Sequence, residues 1–463
     1  MPGSRQSHIQ GYTPAEKLQL SIISAAIAIA LLAAFGLVPA WTVRWLTTVL
    51  FMAQIAHELY DDDISAMKSP AFLLAAIAGF MYAIVPAAVV FLLQASGQHT
   101  LIPSPNRLVF LGHPAEYYIL TFALLGLALH GVLRLTITER FRDQAIQFSG
   151  MASIWLSVIS ILLTGAAFLS INFGHGSSFV SSAVRTVYPP LQSLIIVFLV
   201  YQWAAKKAPL LLPLLTIVPT LIFLGLNGHA KPAIYIGFAC VLIWVTVSRP
   251  RVMTLAMAGA ALVVFIVIAF NVTQAVKYKV SSFFHQNTID IAKGIESLGY
   301  KIIWRQIDSG NCFRNVLVKH GDDDFVLSRQ TFWIAALVPR IIWPEKPNLS
   351  LGSQYSITYC DSTYKHSHSA SISLLGQPAI HGGPIGILFH GAFLLAGLAV
   401  ITAIARAYPG IGTVIVMALL PWWIDFDQDF ALYIANLVKF FLLMCLIAVP
   451  ALVLGRTTGR TQA

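Results

Sequence analysis

The first chemistry visible in this chain is a set of basic side chains placed at or inside long apolar stretches. Lys439 lies within Ala435-Asn436-Leu437-Val438-Lys439-Phe440, well inside an apolar segment. An ionisable group at membrane depth is expensive and marks a functional candidate. It could serve an anion, or pair with Asp425, Asp427 or Asp429 just upstream. Lys231 precedes Pro232 at the start of another apolar segment, after Asn227-Gly228-His229-Ala230. Helix N-termini favour anions through free N–H groups and the positive dipole end, so a lysine there suits phosphate; a snorkelling lysine is the plainer alternative. Arg185 stands before Tyr188-Pro189-Pro190. Arg305 follows Ile302 beside an apolar stripe, and Arg314, Arg329 and Arg340 come after it. Taken singly, these arginines also suit solvated charges or headgroup contacts.

The run Lys365-His366-Ser367-His368-Ser369-Ala370-Ser371 adds a second type of chemistry. Histidines two residues apart can bind zinc, but no Cys or carboxylate stands at ligand spacing, so no metal is expected. A histidine titrating near neutrality can act as general base towards a hydroxyl. His368 is the candidate, His381 a weaker one, and polar loop residues are the alternative. Cys312 and Cys360 share one hydrophilic segment, whereas Cys240 and Cys445 fall in apolar ones. An oxidising exterior permits a bridge between the first pair, subject to a geometry that spacing cannot test. Several cations with few matching acids describe a pocket for a polyanion with a lipid tail. A lipid-linked diphosphate fits, and so does a transporter for a hydrophilic anion.

The elements that must position these residues are membrane helices. The chain is 57% hydrophobic and 10% charged, against roughly 25% charged in ordinary globular proteins. Its mean hydropathy is +0.76. That composition excludes cytosolic enzymes, nucleic-acid binders and disordered scaffolds, despite the net charge of +10. No cleavable signal peptide is expected, because the first apolar stretch is long enough to remain as a span. With about 20 apolar residues per span, twelve segments qualify: 18–37, 41–58, 70–94, 115–135, 151–171, 187–205, 209–227, 231–248, 252–273, 379–405, 409–424 and 430–454. The second carries Arg44, His57 and Glu58 near its ends, and the eleventh is short.

Alternate short loops carry Arg5, Lys17, Lys68, Arg134, Arg140, Arg142, Lys206, Lys207, Arg249, Arg251, Arg406, Arg456 and Arg460. The opposite loops offer Arg44, Arg107, Arg185 and Lys231. The positive-inside rule then predicts both termini in the cytoplasm and the segment 274–378 outside. The organisation is 1–273 (spans one to nine), 274–378 (outer loop) and 379–463 (spans ten to twelve). In the loop, Ile291, Ile295, Leu298 and Ile302 repeat at helical spacing. The stretch Phe332 to Trp343 should dip into the interface, with Trp333 and Trp343 at headgroup level. No internal repeat supports an inverted-repeat transporter.

At Val338-Pro339-Arg340-Ile341-Ile342-Trp343-Pro344-Glu345-Lys346-Pro347 the chain resembles the Wzy-type oligosaccharide repeat-unit polymerases, especially the branch making enterobacterial common antigen. That branch ends an aromatic-rich loop stretch with Trp-Pro-x-Arg/Lys-Pro. Downstream, His368-Ser369-Ala370-Ser371-Ile372-Ser373 and His381-Gly382-Gly383 match its His-Ser and Gly-rich features; upstream, Ile303-Trp304-Arg305-Gln306 matches an early loop arginine. Arg185 falls where the family has an arginine before a Tyr/Phe-Pro span, and Lys231 where it has a Gly-Thr-Arg-Ala turn. The likeness covers roughly residues 170–445. Two departures stand out: lysine replaces arginine at 231, losing bidentate geometry, and the arginine-bearing turn before the last span is here Asp425-Phe426-Asp427-Gln428-Asp429.

The resemblance implies an all-α, polytopic, GT-C-like enzyme of about twelve helices in a bacterial inner membrane. It would join undecaprenyl-diphosphate-linked repeat units on the periplasmic face, without cofactor or metal, in concert with a flippase and a chain-length regulator. Arg185, Lys231, Arg305, Arg340 and Lys439 would hold the diphosphate, with Arg185, Lys231, Arg305 and Lys439 stabilising the charge as it leaves, and His368 would orient or deprotonate the acceptor. An O-antigen ligase, another lipid-linked glycosyltransferase, or a polysaccharide or anion transporter is the alternative.

Overall fold

The computed structural model describes residues 13–60, 69–85, 114–137, 150–172, 178–227, 230–249, 251–278, 284–285, 288–289, 312–319, 332–338, 343, 345, 352–360, 373–407 and 409–459. Apart from short turns these are helical, with one two-residue antiparallel ladder, β1 (Phe284–His285) with β2 (Thr288–Ile289).

The membrane-type helices follow the apolar segments. They are α1 (Pro14–Ala34), α2 (Ala40–Tyr60), α3 (Pro70–Gly79, continued by a π turn over Phe80–Ile84), α4 (Pro114–Thr136) and α5 (Gly150–Asn172). Next come α6 (Ser178–Ala204), α7 (Leu211–Leu226), α8 (Ala230–Ser248) and α9 (Val252–Tyr278). Three short helices belong to the long loop: α10 (312–319), α11 (Phe332–Leu337) and α12 (Gly352–Thr358). Then α13 (Gly376–Ala407), α14 (Pro409–Ala418), α15 (Leu420–Trp423) and α16 (Phe430–Gly459) complete the chain.

Among the described residues, six helical stretches are long and apolar enough to cross a membrane: Pro14–Ala34, Tyr117–Thr136, Ser153–Ser170, Val187–Ala204, Lys231–Ser248 and Gly376–Ala407. Pro70–Ile84, Leu211–Gly225, Ala256–Val272 and Phe430–Leu446 are shorter apolar helices. Leu31, Trp155, Leu162, Val218, Met253 and Leu446 all stand exposed on these helices. In water such faces would be a liability; in a bilayer they meet lipid, and the chain reads as a multi-pass membrane protein. The segments 41–58 and 409–424 behave differently. The first forms α2, whose Arg44, His57 and Glu58 are buried in the bundle. The second is broken into α14 and α15.

Local sequence explains several helix starts and close approaches. Thr13 caps α1 through a reciprocal box with Glu16, followed by Pro14 in the first turn, which satisfies amides that would otherwise lack partners. Ser69 Oγ accepts from Phe72 N at 3.3 Å at the start of α3. Small residues let helices approach, as expected where lipid supplies no hydrophobic drive. A Cβ on Gly126 would lie 2.5 Å from Ala75 Cβ, and one on Gly412 would lie 2.6 Å from Ala405 Cα. Helix α13 is really two helices joined at Gly383, whose φ of +53° suits glycine. There a Cβ on Gly386 would come 2.3 Å from Pro378 O.

In the long loop, Cys312 and Cys360 form a disulfide, so the pair the spacing left open is joined. It ties α10 to the end of α12, aided by Asn315 Nδ2 donating to Tyr359 O at 2.7 Å. Helix α11 packs along α16, with the Trp333 ring 5.0 Å from that of Phe393 on α13. Trp333 thus lies against helix side chains; Trp343 is exposed. The amphipathic stretch 291–302 lies outside the described residues.

Candidate functional site

The polar groups converge where α8 and α16 begin and where the long loop rejoins the bundle at α13. Lys231, the second residue of α8, forms an ion pair through Nζ with Asp425 Oδ1. Its Nζ also sits 5.9 Å from the Tyr235 ring centre, one turn on. Lys231 is 41% exposed and Asp425 12%, so the pair has one foot in the bundle and an accessible ammonium. The lysine read as adding to a positive helix end is therefore balanced by a carboxylate. Asp425 was one of the partners considered for Lys439.

The turn carrying Asp425 is held from several sides. Phe426 N donates to Ile424 O at 2.8 Å, and Leu374 N reaches Phe426 O at 2.7 Å from the residues leading into α13. The Phe426 ring lies 5.8 Å from Tyr82 and 6.1 Å from Phe122. Gln377 Oε1 accepts from Ala431 N at 2.9 Å, satisfying an amide of the first turn of α16. Tyr433 OH donates to Trp423 O at 2.7 Å. Asp429 is the residue before α16, and its carbonyl accepts from Tyr433 N at 2.9 Å.

Asp429 is the electrostatic centre of this arrangement. Burial, and then the neighbouring Asp425 charge, push its carboxyl up to about 7. Tyr355, on α12 of the loop, is 1% exposed. Its phenol is pushed well up by burial and by Asp429, with the nearby Gln377 side chain opposing. The disulfide-tied loop unit is thus seated over this site. Ser373 adds local strain: it has φ +68° without being glycine, is fully buried, and its Oγ has no hydrogen-bond partner among the described residues. Strain of this kind is concentrated at functional sites.

Lys439 is not part of that cluster. It lies ten residues beyond Asp429, or about 15 Å along the axis of α16 at 1.5 Å per residue. Its Nζ donates to Asn436 Oδ1 at 3.3 Å and sits 4.4 Å from the Phe440 ring centre. Phe440 in turn packs tilted against Trp422, with ring centres 4.4 Å apart. Beside it, an apolar crevice of about 340 Å³ opens between α13 and α16 under α11. Trp333, Phe393, Leu398, Ile434, Leu437 and Val438 are among its walls.

Of the remaining candidates, Arg185 falls on α6, with its side chain outside the described residues. Arg305, Arg340 and His368 lie outside them altogether. His381 sits in the first half of α13, two residues before the Gly383 break. Among the described residues no group of three or more His, Cys, Asp or Glu could hold a metal. The sequence offered Asp429 only as a partner for Lys439 and Ser373 only within a motif, and it pointed to neither Tyr355 nor Gln377. The available signal was the run of three aspartates between two apolar segments, which was read as a departure from a family pattern. No family model, curated protein or solved structure matches the chain.

Proposed function

We propose that this chain is a membrane glycosyltransferase of the repeat-unit polymerase type, with a GT-C-like arrangement of about twelve spans and the 274–378 loop on the outer face. The observation that carries the reading is the neighbourhood of a half-buried, near-neutral carboxyl, Asp429, to the Lys231–Asp425 ion pair at the loop end. A carboxyl raised towards neutrality beside a carboxylate paired with an ammonium can divide acid–base and electrostatic work between the two. The apolar crevice along α16 supports the same reading, since a polyprenyl chain needs an apolar bed. The motif resemblance supplies the substrate class.

In this reading Lys231, oriented by Asp425, faces the diphosphate of an undecaprenyl-linked donor with Arg185, Arg305 and Arg340. Lys439 guards the membrane side, where the lipid carrier passes. The acceptor hydroxyl oxygen bonds to the anomeric carbon while the bond to diphosphate breaks, and the diphosphate leaves with the electron pair. Cations placed where that charge develops lower the barrier. The hydroxyl proton goes to Asp429 or His368, and both are suited to neutral pH.

Deleting the gene and analysing lipid-linked glycans tests the proposal. Single repeat units and lost ladders, unrescued by Lys231→Ala or Arg305→Ala, support it. Normal ladders left on the carrier would indicate a ligase. Unchanged chain length and linkage would overturn glycosyl transfer in favour of transport.

A further inference from the structure

A second polar cluster lies at the opposite end of the bundle, where α1 begins and α2 and α4 end. Helix α13 runs alongside α4, with Gly391 near Phe122 and Gly126 near Leu395, which puts the last turn of α4 far from the loop end. There His130 Nε2 and Glu58 Oε1 share a 2.6 Å hydrogen bond. Gln54 Nε2 donates to the same Glu58 oxygen at 2.8 Å and to Gln19 Oε1 at 3.1 Å. Gln19 Nε2 returns a bond to Gln54 Oε1 at 2.9 Å, and Arg134 Nη1 donates to Gln19 Oε1 at 3.0 Å. Gln19, Gln54, Glu58 and His130 are each at most 2% exposed.

We propose that Glu58 and His130 form a proton-binding site, linked through Gln54 and Gln19 to Arg134 at the membrane edge. The inference is independent of the glycosyl-transfer reading. Three observations carry it. Glu58 is buried in the last turn of α2, where the helix's own carbonyls disfavour a second negative charge. His130 Nδ1 is buried with no hydrogen-bond partner among the described residues, whereas a purely structural imidazole would satisfy both nitrogens. A continuous hydrogen-bonded chain runs from that pair to the half-buried Arg134. If helix cohesion were the whole purpose, well-packed apolar residues would serve as well.

The proton balance is simple. With Glu58 ionised and His130 neutral on Nε2, the pair carries one negative charge, offset by Arg134. A proton taken up at Nδ1 makes an imidazolium–carboxylate pair, or a carboxylic acid and a neutral imidazole after transfer across the 2.6 Å bond. Either way the pair becomes neutral, and release reverses the step. Among the described residues the titratable surroundings are few. Helix α1 brings Gln19, with Glu16 and Lys17 nearer its start, and α2 adds the buried His57. Helix α3 contributes the Phe72 ring, 5.0 Å from that of His130, and no titratable group over Pro70–Gly79. Helix α13 has Arg406 in its last turn at the same end, and His381 and His390 towards the other.

The test uses the full chain in lipid nanodiscs and infrared difference spectra on stepping the pH from about 8 to about 5, the range in which histidine changes charge. A carboxyl–imidazole signal lost alike in Glu58→Gln and His130→Gln is expected. A wild-type spectrum without such a signal, or variants that both retain it, would overturn the proposal. Should Glu58→Gln fail to fold, Glu58→Asp keeps a carboxylate and must shift the transition midpoint. An unshifted midpoint would also overturn it.

Discussion

Two aspartates four residues apart in one turn have opposite characters here, and the difference is a neighbour. Asp425 meets the Lys231 ammonium, while Asp429 meets burial and the Asp425 charge. Because Asp429 rises from 3.8 to about 7, the folded chain holds a proton there that the unfolded chain has lost. Its stability contribution is complete below the unfolded value and is lost as pH rises through the folded one. Asp429→Asn mimics the protonated form, so it should stabilise the protein at pH 8 by on the order of 1 kcal/mol and change little at pH 4. Thermal melting at the two pH values reads this. Lys231→Ala removes the ammonium beside Asp425; given the lysine's exposure, a cost of about 1 kcal/mol is expected. Adding Asp425→Asn should recover most of it, and a double-mutant cycle on melting temperature would show the coupling. Lys231 could be singled out from its place before an apolar segment. Its partner could not, because the two come from distant parts of the chain and only packing of α8 against α14 and α15 makes them neighbours.

Between elements, the decisive contacts are tight backbone approaches and one covalent tie. Gly386→Ala would drive a Cβ to within 2.3 Å of Pro378 O. A backbone atom cannot swing aside, so the first half of α13 must shift, and with it Gln377 and its bond to Ala431 N. A loss of at least about 2 kcal/mol is expected, seen as lower melting in detergent. The Cys312–Cys360 bridge spans 48 residues, for which loop-closure entropy gives up to about 4 kcal/mol. Cys312→Ser with Cys360→Ser should lower thermal stability, and non-reducing mass analysis of the wild type should find the bridge. Helix existence was legible from apolar runs of span length. The break at Gly383, the split into α14 and α15, and the seating of α11 along α16 were not, because each depends on what the helix meets.

For the whole molecule, the charge asymmetry of the short loops predicts both termini on the cytoplasmic side. Reporter fusions at residue 463 should be active only with a cytoplasmic reporter, and fusions within 320–330 only with a periplasmic one; the reverse would invert the proposed topology. The sequence by itself determined the solvent, the helical class and most of the membrane-type elements, because a bilayer demands long apolar runs whose length is readable without any partner. It also singled out Lys231, and Cys312 and Cys360 as a permissible pair. Only the tertiary structure decided what the buried polar groups do. Glu58 and His130 on α2 and α4, and Asp425 with Lys231, acquire meaning from residues far away in the chain. Electrostatic and hydrogen-bond partnerships fall off within a few ångströms, and it is folding that sets which groups come within that reach.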